Sequence, residues 1–299
     1  MTATTSGRLL VMLAETLVHP GVGQTVGAID LPVMRERTTG HPVIAGSSLK
    51  GALRDAVQRK EGKPIADDLF GDQERAGRIL VSDARLVLLP VRSLEMPYAW
   101  LTCPLLLERL ARDAARLGFP LDLPDLAPDE GTALMSGEGS RDTSSANGAR
   151  YLYLEERSFT VTDGGDAMKK LVETLGKLMP DDKAGARLKR QLVIVSDTDF
   201  KWFAENALPV IARNVLDEDT KTSKNLWYEE ALPPDTLMVA ALMERPGTGK
   251  GGALGQLEQV LKESGYLQVG GNETVGQGWF RTDLKGGGDR TAESREAAA

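Results

Sequence analysis

Two side chains near the amino terminus have the chemistry of catalytic groups. His19 precedes a segment from Pro20 to Gly40 that holds four glycines, and Asp30 lies within this segment. An imidazole can transfer protons near neutral pH, and a carboxylate can accept a proton or bind a hard cation. On local grounds, an isolated aspartate before Leu-Pro is usually a turn residue, and an isolated histidine is usually structural. The sequence has no Ser/His/Asp spacing and no paired-histidine nuclease signature beside them.

A second group of residues could bind an anion at the start of a helix. Apolar residues recur at helical spacing from Ser48, and we predict that a serine caps this helix. Ser47, Lys50 and Arg54 fall in the same stretch, and cations at a helix start are expected when an anion binds there. The alternative is a capped surface helix with a solvated lysine. The glycine spacing does not fit a Walker phosphate loop.

Glycines near the carboxyl terminus could let a sugar-phosphate chain approach the backbone closely. Gly270, Gly271, Gly276 and Gly278 lead into Trp279 and an apparent strand. A dinucleotide-binding loop would lead into a helix, so the sequence argues against that function. A plain hairpin with positive φ angles explains the glycines equally well.

An α+β fold is expected to position these groups, since short strands and helices alternate without a uniform period. The predicted strands cover residues 9–17, 78–89, 95–101, 151–161, 191–196 and 237–243, with a glycine-rich turn and a last strand at 267–281. The predicted helices start at 48 and cover 104–117, 168–178, 199–207 and 253–264. Residues 211–233 predict a protruding hairpin, 119–149 a loop or partly ordered surface insertion, and 284–299 a disordered tail.

The composition limits the possible functions. The net charge is −7, but residues 35–63 hold seven basic and three acidic side chains, which permits a basic RNA-binding face. Cys103 is the only cysteine and there are two histidines, so an intrachain disulfide and a structural zinc site are excluded. Apolar runs are too short to cross a membrane and the start is not a secretory signal, so we expect a cytoplasmic protein without membrane contact.

Several segments taken together resemble the RAMP superfamily of CRISPR proteins. They are Ile29-Asp30-Leu31-Pro32 with Arg35-Glu36-Arg37, Gly46 to Gly51, Val81-Ser82-Asp83-Ala84-Arg85, Leu89-Pro90-Val91-Arg92-Ser93 and the glycine-rich run from 270 to 278. Their order, with Leu226-Trp227-Tyr228-Glu229-Glu230, is similar to that of backbone subunits of type III-B (Cmr) effector complexes. The resemblance covers most of residues 8–281 and leaves out 119–149 and the tail.

The resemblance implies an RRM-like, ferredoxin-like palm, a thumb hairpin at about 211–233 and a helical fingers insertion at about 104–150, all within one domain over 1–283. Copies would stack head-to-tail on one another along a CRISPR guide RNA, assemble with the other Cmr-complex subunits, and cut complementary single-stranded target RNA. Ser47, Ser48, Lys50 and Arg54, with the four glycines, would contact the guide.

The catalytic roles are also implied by the resemblance. Asp30 matches the acidic target-cleavage position, where it would help deprotonate the attacking 2′-hydroxyl or bind a divalent cation, expected to be Mg²⁺. His19, Tyr228 and Glu230 are weaker candidates for proton transfer or positioning. Three other functions stay open: a scaffold that binds guide RNA without cutting, a free-standing endonuclease that processes CRISPR precursor RNA, and a small-ligand α/β enzyme.

Overall fold

The computed structural model describes residues 7–24, 27–246 and 252–286. The strands are β1 (Gly7–Ala14), β2 (Val43–Ile44), β3 (Ile79–Val81), β4 (Ala84–Val91), β5 (Ala99–Thr102), β6 (Thr132–Met135), β7 (Ser144–Ala146), β8 (Ala149–Leu154), β9 (Arg157–Asp163), β10 (Leu192–Ile194), β11 (Val210–Leu216), β12 (Ser223–Glu230), β13 (Leu237–Glu244), β14 (Tyr266–Gln268) and β15 (Trp279–Lys285). The helices are α1 (Gly46–Glu61), α2 (Lys63–Phe70), α3 (Pro104–Arg116), α4 (Gly137–Ser140), α5 (Gly165–Leu178), α6 (Asp182–Gln191), α7 (Asp197–Asn206) and α8 (Ala253–Ser264), with a 3₁₀ turn at Glu273–Val275.

The centre of the fold is a mixed sheet with helices on both faces. Along its main path the strand order is β14-β15-β1-β13-β4-β5-β10-β6-β9-β8-β7. Leu10 and Met12 of β1 pack into the cluster that contains the buried residues of α1 and α8, whereas Leu9 and Val11 pack into the cluster of α3 and α5. Because both faces are covered, β1 is an uninterrupted apolar run, as predicted for this segment.

Residues 119–149 differ from the sequence prediction. They were expected to be a surface insertion, but β6 lies inside the sheet, antiparallel to β10 and parallel to β9, and its Ala133 and Met135 are buried. The helical fingers expected at 104–150 are therefore wrong for the second half, where strands follow α3. Strand β6 has four residues between glycine-rich and acidic stretches, which is too short to show a period in the sequence.

The region after α1 also differs from the prediction. Residues 78–89 were expected to form one strand, but the chain breaks at Ser82 and Asp83 into β3 and β4. Ser82 Oγ accepts a hydrogen bond from Ala241 N at 2.8 Å, so this break is held against β13. The predicted serine cap of α1 is wrong, because the helix begins at Gly46 after Ala45, which makes no side-chain cap.

The remaining segments are a hairpin and the last strand of the sheet. Strands β11 and β12 form a separate two-stranded hairpin at the place predicted for one. Strand β15 continues to Lys285, so the first residues of the expected tail are part of the sheet, and residues 287–299 lie outside the described residues. None of the helices in the described ranges is long and apolar enough to cross a membrane.

His41 should make the stability of the fold depend on pH. It is 3% exposed, its ring packs edge-on against Phe200 at 5.1 Å, and burial lowers its pKa below the ordinary 6.5. The unfolded chain therefore binds a proton that the folded chain excludes, and stability is lost as the pH falls below 6.5. We expect the free energy of unfolding, measured by urea titration, to decrease from about pH 7 to about pH 5.5. The decrease should be smaller in His41→Phe, and an equal decrease in both proteins would contradict this role.

Candidate functional site

The base of the hairpin brings the predicted catalytic residues together. Asp30 is partly exposed, and its Oδ2 accepts a hydrogen bond from the backbone N–H of Tyr228 at 2.7 Å. The next residue, Leu31, pairs with the end of β12 through hydrogen bonds to Tyr228 and Glu230. Within the described residues, Oδ1 of Asp30 makes no hydrogen bond. The carboxylate therefore has one oxygen fixed by the hairpin and one available to a ligand.

His19 is fixed by the same end of β12. Its Nδ1 lies 2.7 Å from the backbone oxygen of Glu230, and because a carbonyl can only accept, Nδ1 carries the hydrogen. In the neutral ring Nε2 is then an acceptor. Gly21 lies directly against this atom, since a Cβ there would be 2.4 Å from Nε2. His19 thus presents a fixed acceptor beside the segment that leads to Asp30.

Glu230 is a structural residue rather than an accessible one. It is 3% exposed, its Oε2 accepts the N–H of Val33 at 3.0 Å, and its Oε1 lies 2.5 Å from Arg35 Nη2. Arg35 also donates to the backbone oxygens of Gly40 and Ala204. This ion pair, in which the carboxylate is buried and the guanidinium is partly exposed, holds the segment after Asp30 against the hairpin. In contrast, Tyr228 is 43% exposed and its ring is open to a ligand.

Glu229 is a residue of this region that the sequence analysis did not single out as a site residue. It is 3% exposed, its Oε1 accepts a hydrogen bond from Asn272 of the glycine-rich loop, and its Oε2 lies 3.6 Å from Arg213 Nε of β11. It therefore joins the hairpin to that loop. The adjacent Tyr-Glu-Glu letters could not show which glutamate contacts which neighbour, because both side chains are buried against segments distant in sequence.

The start of α1 is arranged differently from the prediction. The backbone N–H of Gly46 donates to Asp83 Oδ1 at 2.7 Å, so a carboxylate of the chain itself lies at the helix start. Gly46 is required there, because a Cβ would come 2.9 Å from the backbone carbon of Ser82. Ser47 and Ser48 are exposed in the first turn.

The two predicted cations of α1 are not equivalent. Arg54 is bound by Asp67 of α2 and by Gln58, whereas Lys50 makes no ion pair or hydrogen bond with any residue of the described ranges. Of the two, Lys50 is the cation left available to an external anion.

The glycine-rich loop is anchored beside His19. Gly271 N donates to the backbone oxygen of His19 at 3.1 Å, and Gly278 N donates to that of Leu17 at 2.8 Å. Gly270 and Gly278 have φ values of 95° and 85°, and added Cβ atoms would lie 2.8 Å and 2.4 Å from backbone oxygens. Gly276 has a φ of 79° but open space around it. Only part of the glycine pattern is therefore explained by packing, and Gly271 and Gly276 leave the loop surface open.

This difference predicts unequal effects of two matched substitutions. Gly276→Ala should cost roughly 1–2 kcal/mol, because only the left-handed backbone is strained. Gly278→Ala should cost more, since its Cβ would also overlap the backbone oxygen of Val269 at 2.4 Å. Urea unfolding of both variants measures this. Equal destabilisation would show that the close approach at Gly278 relaxes without cost.

A cleft of about 400 Å³ lies between α1 and the glycine-rich loop. Its lining includes His19, Ser48, Asp55, Gly270 and Gly271. The predicted phosphate-contacting serine, two of the predicted glycines and the predicted histidine therefore border one open groove. A groove with an exposed serine hydroxyl and glycine backbone on its walls suits an extended polar chain better than a compact apolar ligand.

Asp30 by itself does not provide a resident metal site. Among residues 7–24, 27–246 and 252–286, no group of three or more His, Cys, Asp or Glu side chains could hold a metal ion. A single carboxylate is too few ligands for Mg²⁺, which prefers six oxygens.

Comparison with known proteins gives the family. The profile of the RAMP superfamily matches residues 12–281. The chain belongs to the RAMP superfamily. This RAMP protein is 35% identical over 285 residues to the CRISPR system Cmr endoribonuclease Cmr4 of Pyrococcus furiosus, covering 90% of the chain and 92% of that protein. The family predicted from the separate sequence blocks is confirmed.

Solved structures agree with this membership. The crystal structure of oligomeric Cmr4 from Pyrococcus furiosus superposes with a TM-score of 0.75 at 30% identity, covering 95% of this chain and 99% of that one. A chain of the type III-B Cmr-beta complex bound to cognate target RNA, seen by cryo-EM, has a TM-score of 0.70 at 19% identity, covering 93% and 96% of the two chains. At that identity the second likeness concerns the fold alone.

Proposed function

We propose that this RAMP protein is the repeated backbone subunit of a type III-B CRISPR effector, binding guide RNA and cutting complementary target RNA at regular intervals. The observation that carries the proposal is the position of Asp30, a partly exposed carboxylate fixed to the base of a protruding hairpin. Its relatives support it, since Cmr4 of Pyrococcus furiosus is named a Cmr endoribonuclease and a Cmr4 from that organism was crystallised as an oligomer.

Reconstitution tests the proposal. The chain, the other subunits of its complex and a defined guide should cut a complementary RNA into products separated by a constant interval. RNA without complementarity to the guide should stay intact. Cleavage by the lone chain of CRISPR repeat RNA would instead favour a precursor-processing enzyme, and binding of guide and target without cutting would favour a scaffold.

The proposed palm consists of β1, α1, β4, β13, α8 and β15. Its support is the strand order β15-β1-β13-β4 with antiparallel neighbours, which is the order of an RRM-like, ferredoxin-like βαββαβ unit. In that unit α1 and α8 connect strands through the same face of the sheet. The guide would lie over α1 and the glycine-rich loop, at one end of this unit. Stacked copies acting in the cytoplasm would extend the track along the strand.

The hairpin acts as the thumb in this proposal. Val215, Leu216 and Leu226 are about half exposed near its far end, at 46%, 50% and 52%. Apolar side chains at such positions can insert between stacked bases and displace a target nucleotide from the duplex. Because Asp30 is hydrogen-bonded to β12, the carboxylate is attached to one of the two strands that carry these apolar side chains.

Asp30 would promote attack of the displaced nucleotide's 2′-oxygen on the adjacent phosphorus. Its free Oδ1 accepts the 2′-hydroxyl proton as the O–P bond forms and the 5′-oxygen leaves. Displacing the nucleotide supplies the in-line geometry, so orientation contributes much of the rate. His19 and Tyr228 lie at the same end of β12 and are proposed to position the target or exchange its leaving-group proton.

A divalent cation is a separate proposal. Mg²⁺ held mainly by RNA phosphate and water would contact Asp30 as one ligand and stabilise charge on the phosphate. Its support is the chemistry of a partly exposed carboxylate beside a phosphodiester. Cleavage by an EDTA-treated assembly, titrated with Mg²⁺, tests it, and full activity without added cation would contradict it.

Lys50 should contribute more to guide binding than Arg54. Lys50→Ala removes an unpaired cation, whereas Arg54→Ala removes one already bound to Asp67. We expect Lys50→Ala to weaken guide binding more strongly at physiological salt and to lower the salt-dependence slope by about 0.7, the value for one phosphate contact on single-stranded RNA. Filter binding over a salt series measures both. Equal affinity of Lys50→Ala and the unchanged protein would remove this residue from the guide track.

A further inference from the structure

A second cleft, of about 360 Å³, lies on the opposite side of the first turns of α1. One wall consists of Ser47, Lys50 and Arg54, and the other is the loop after α2, with Asp72 and Arg75. The glycine-rich loop does not line it. Gly51 lines both this cleft and the one beside the glycine-rich loop, so the two are adjacent across α1.

The loop at 71–77 has a tightly constrained backbone. Gly71 has a φ of 89°, and a Cβ there would lie 2.6 Å from Gly77 N. A Cβ on Gly77 would lie 2.3 Å from the backbone carbon of Phe70. Asp72 Oδ1 accepts the N–H groups of Glu74 and Arg75 at 2.9 Å and 2.8 Å. The backbone that carries Arg75 is therefore fixed relative to α2.

The side chains in this cleft leave positive charge available. The Arg75 side chain is 80% exposed, and its contact with a carboxylate is one hydrogen bond to Asp72 at 3.2 Å. Lys50 on the facing wall has no partner within the described part of the chain. Arg54 and Asp67 neutralise each other, and Asp72 offsets one of the two remaining cations. A net positive charge with a serine hydroxyl beside it is the chemistry that binds a phosphodiester.

We propose that Lys50 and Arg75 bind one phosphodiester of the guide RNA in this cleft, so that the strand crosses α1 over Gly51. The inference rests on the proposed function and extends its guide track beyond the glycine-rich loop. Gly51 suits the crossing, because it is exposed and an added Cβ would meet nothing within 4 Å. Packing does not require this glycine, and alanine would stabilise the helix more at this position. A glycine here is expected if the RNA strand must approach the helix backbone without meeting a side chain.

Anisotropy of a fluorescein-labelled guide RNA on the full-length chain tests the assignment over a salt series. We expect Arg75→Ala to weaken binding roughly three- to tenfold and lower the salt slope by about 0.7. Because both residues contact one phosphate, the effect of combining it with Lys50→Ala should be smaller than the product of the single effects. Arg112→Ala is the matched control, since Arg112 is an exposed, ion-paired arginine on α3, and its affinity should be unchanged.

A third variant tests whether the RNA strand passes over Gly51, because it obstructs this path without removing a positive charge. Gly51→Leu should leave folding intact, because the site is open and leucine favours a helix, yet it should weaken guide binding. If Lys50→Ala weakens binding while Arg75→Ala and Gly51→Leu behave like Arg112→Ala, the inference is overturned and the proposed function stands. If no variant weakens binding, the guide track of the proposed function fails as well. If Arg75→Ala disrupts assembly of RNA-free copies, the cleft binds protein and the inference is also overturned.

Discussion

Asp30→Asn is expected to slow target cutting by about 10²–10⁴-fold while leaving target binding intact. The amide keeps the shape of the carboxylate but cannot accept the proton of the attacking hydroxyl at neutral pH. General-base catalysis contributes about 10²–10⁴-fold, so the single-turnover cleavage rate should fall by that factor. Gel analysis of a 5′-labelled target on the assembled complex measures the rate, and a filter assay on the same samples measures binding.

The control for this variant must distinguish the loss of the general base from a loosened contact between the loop and the hairpin. Asp30 Oδ2 accepts the N–H of Tyr228, so a substitution could also loosen the contact between the loop and the hairpin. Asparagine keeps an oxygen acceptor for that N–H, whereas Asp30→Ala removes it. Equal loss of cleavage in both variants, with unchanged unfolding midpoints, assigns the effect to the charge. Cleavage by Asp30→Asn at the unchanged rate would remove this residue from the reaction.

Arg35→Ala is expected to be strongly destabilising. It would leave the carboxylate of Glu230, which is 3% exposed, with the N–H of Val33 but without its counter-charge. Removing one partner of a buried ion pair costs roughly 3–5 kcal/mol. Urea unfolding monitored by tryptophan fluorescence gives the free energy of unfolding. The matched control is Arg112→Ala, whose exposed pair with Glu108 should contribute less than about 1 kcal/mol.

The ion pair between Arg35 and Glu230 indicates a structural role for Glu230, which a variant of this glutamate can test. If this glutamate holds the segment after Asp30 in place, Glu230→Gln should lose stability, and cleavage should recover under conditions that restore the fold. If it transfers a proton instead, Glu230→Gln should unfold at the same urea concentration as the unchanged protein and still fail to cut. That second outcome would contradict the structural role inferred from its burial.

Long periodic segments could be predicted from the sequence, and contacts between distant segments could not. Helix α8 was predicted with its observed bounds, 253–264, because its apolar spacing is regular and Gly265 ends it in a left-handed conformation. The start of α1 was misplaced, because its first N–H is bound by Asp83, 37 residues further along the chain. The local sequence indicated a serine cap, because the residues around the helix start do not show that Asp83 binds the N–H of Gly46.

The candidate site shows the same division. Asp30, His19 and Tyr228 could be selected from their chemistry and from the resemblance, and the structure brings them to one end of β12. Glu230 was selected for the same reasons but is buried in an ion pair. The hydrogen bond between Glu229 and Asn272 joins the hairpin to the glycine-rich loop. It could not be predicted from the sequence, because the two residues are distant along the chain.

The most direct measurement is a cryo-EM structure of the assembled complex with guide RNA and a target carrying a 2′-deoxy substitution at the cut linkage, which prevents cleavage. We expect the Asp30 carboxylate of each copy to lie within hydrogen-bonding reach of the site of the missing 2′-oxygen, beside a nucleotide displaced by the hairpin. An Asp30 side chain turned away from the target strand in every copy would contradict this expectation.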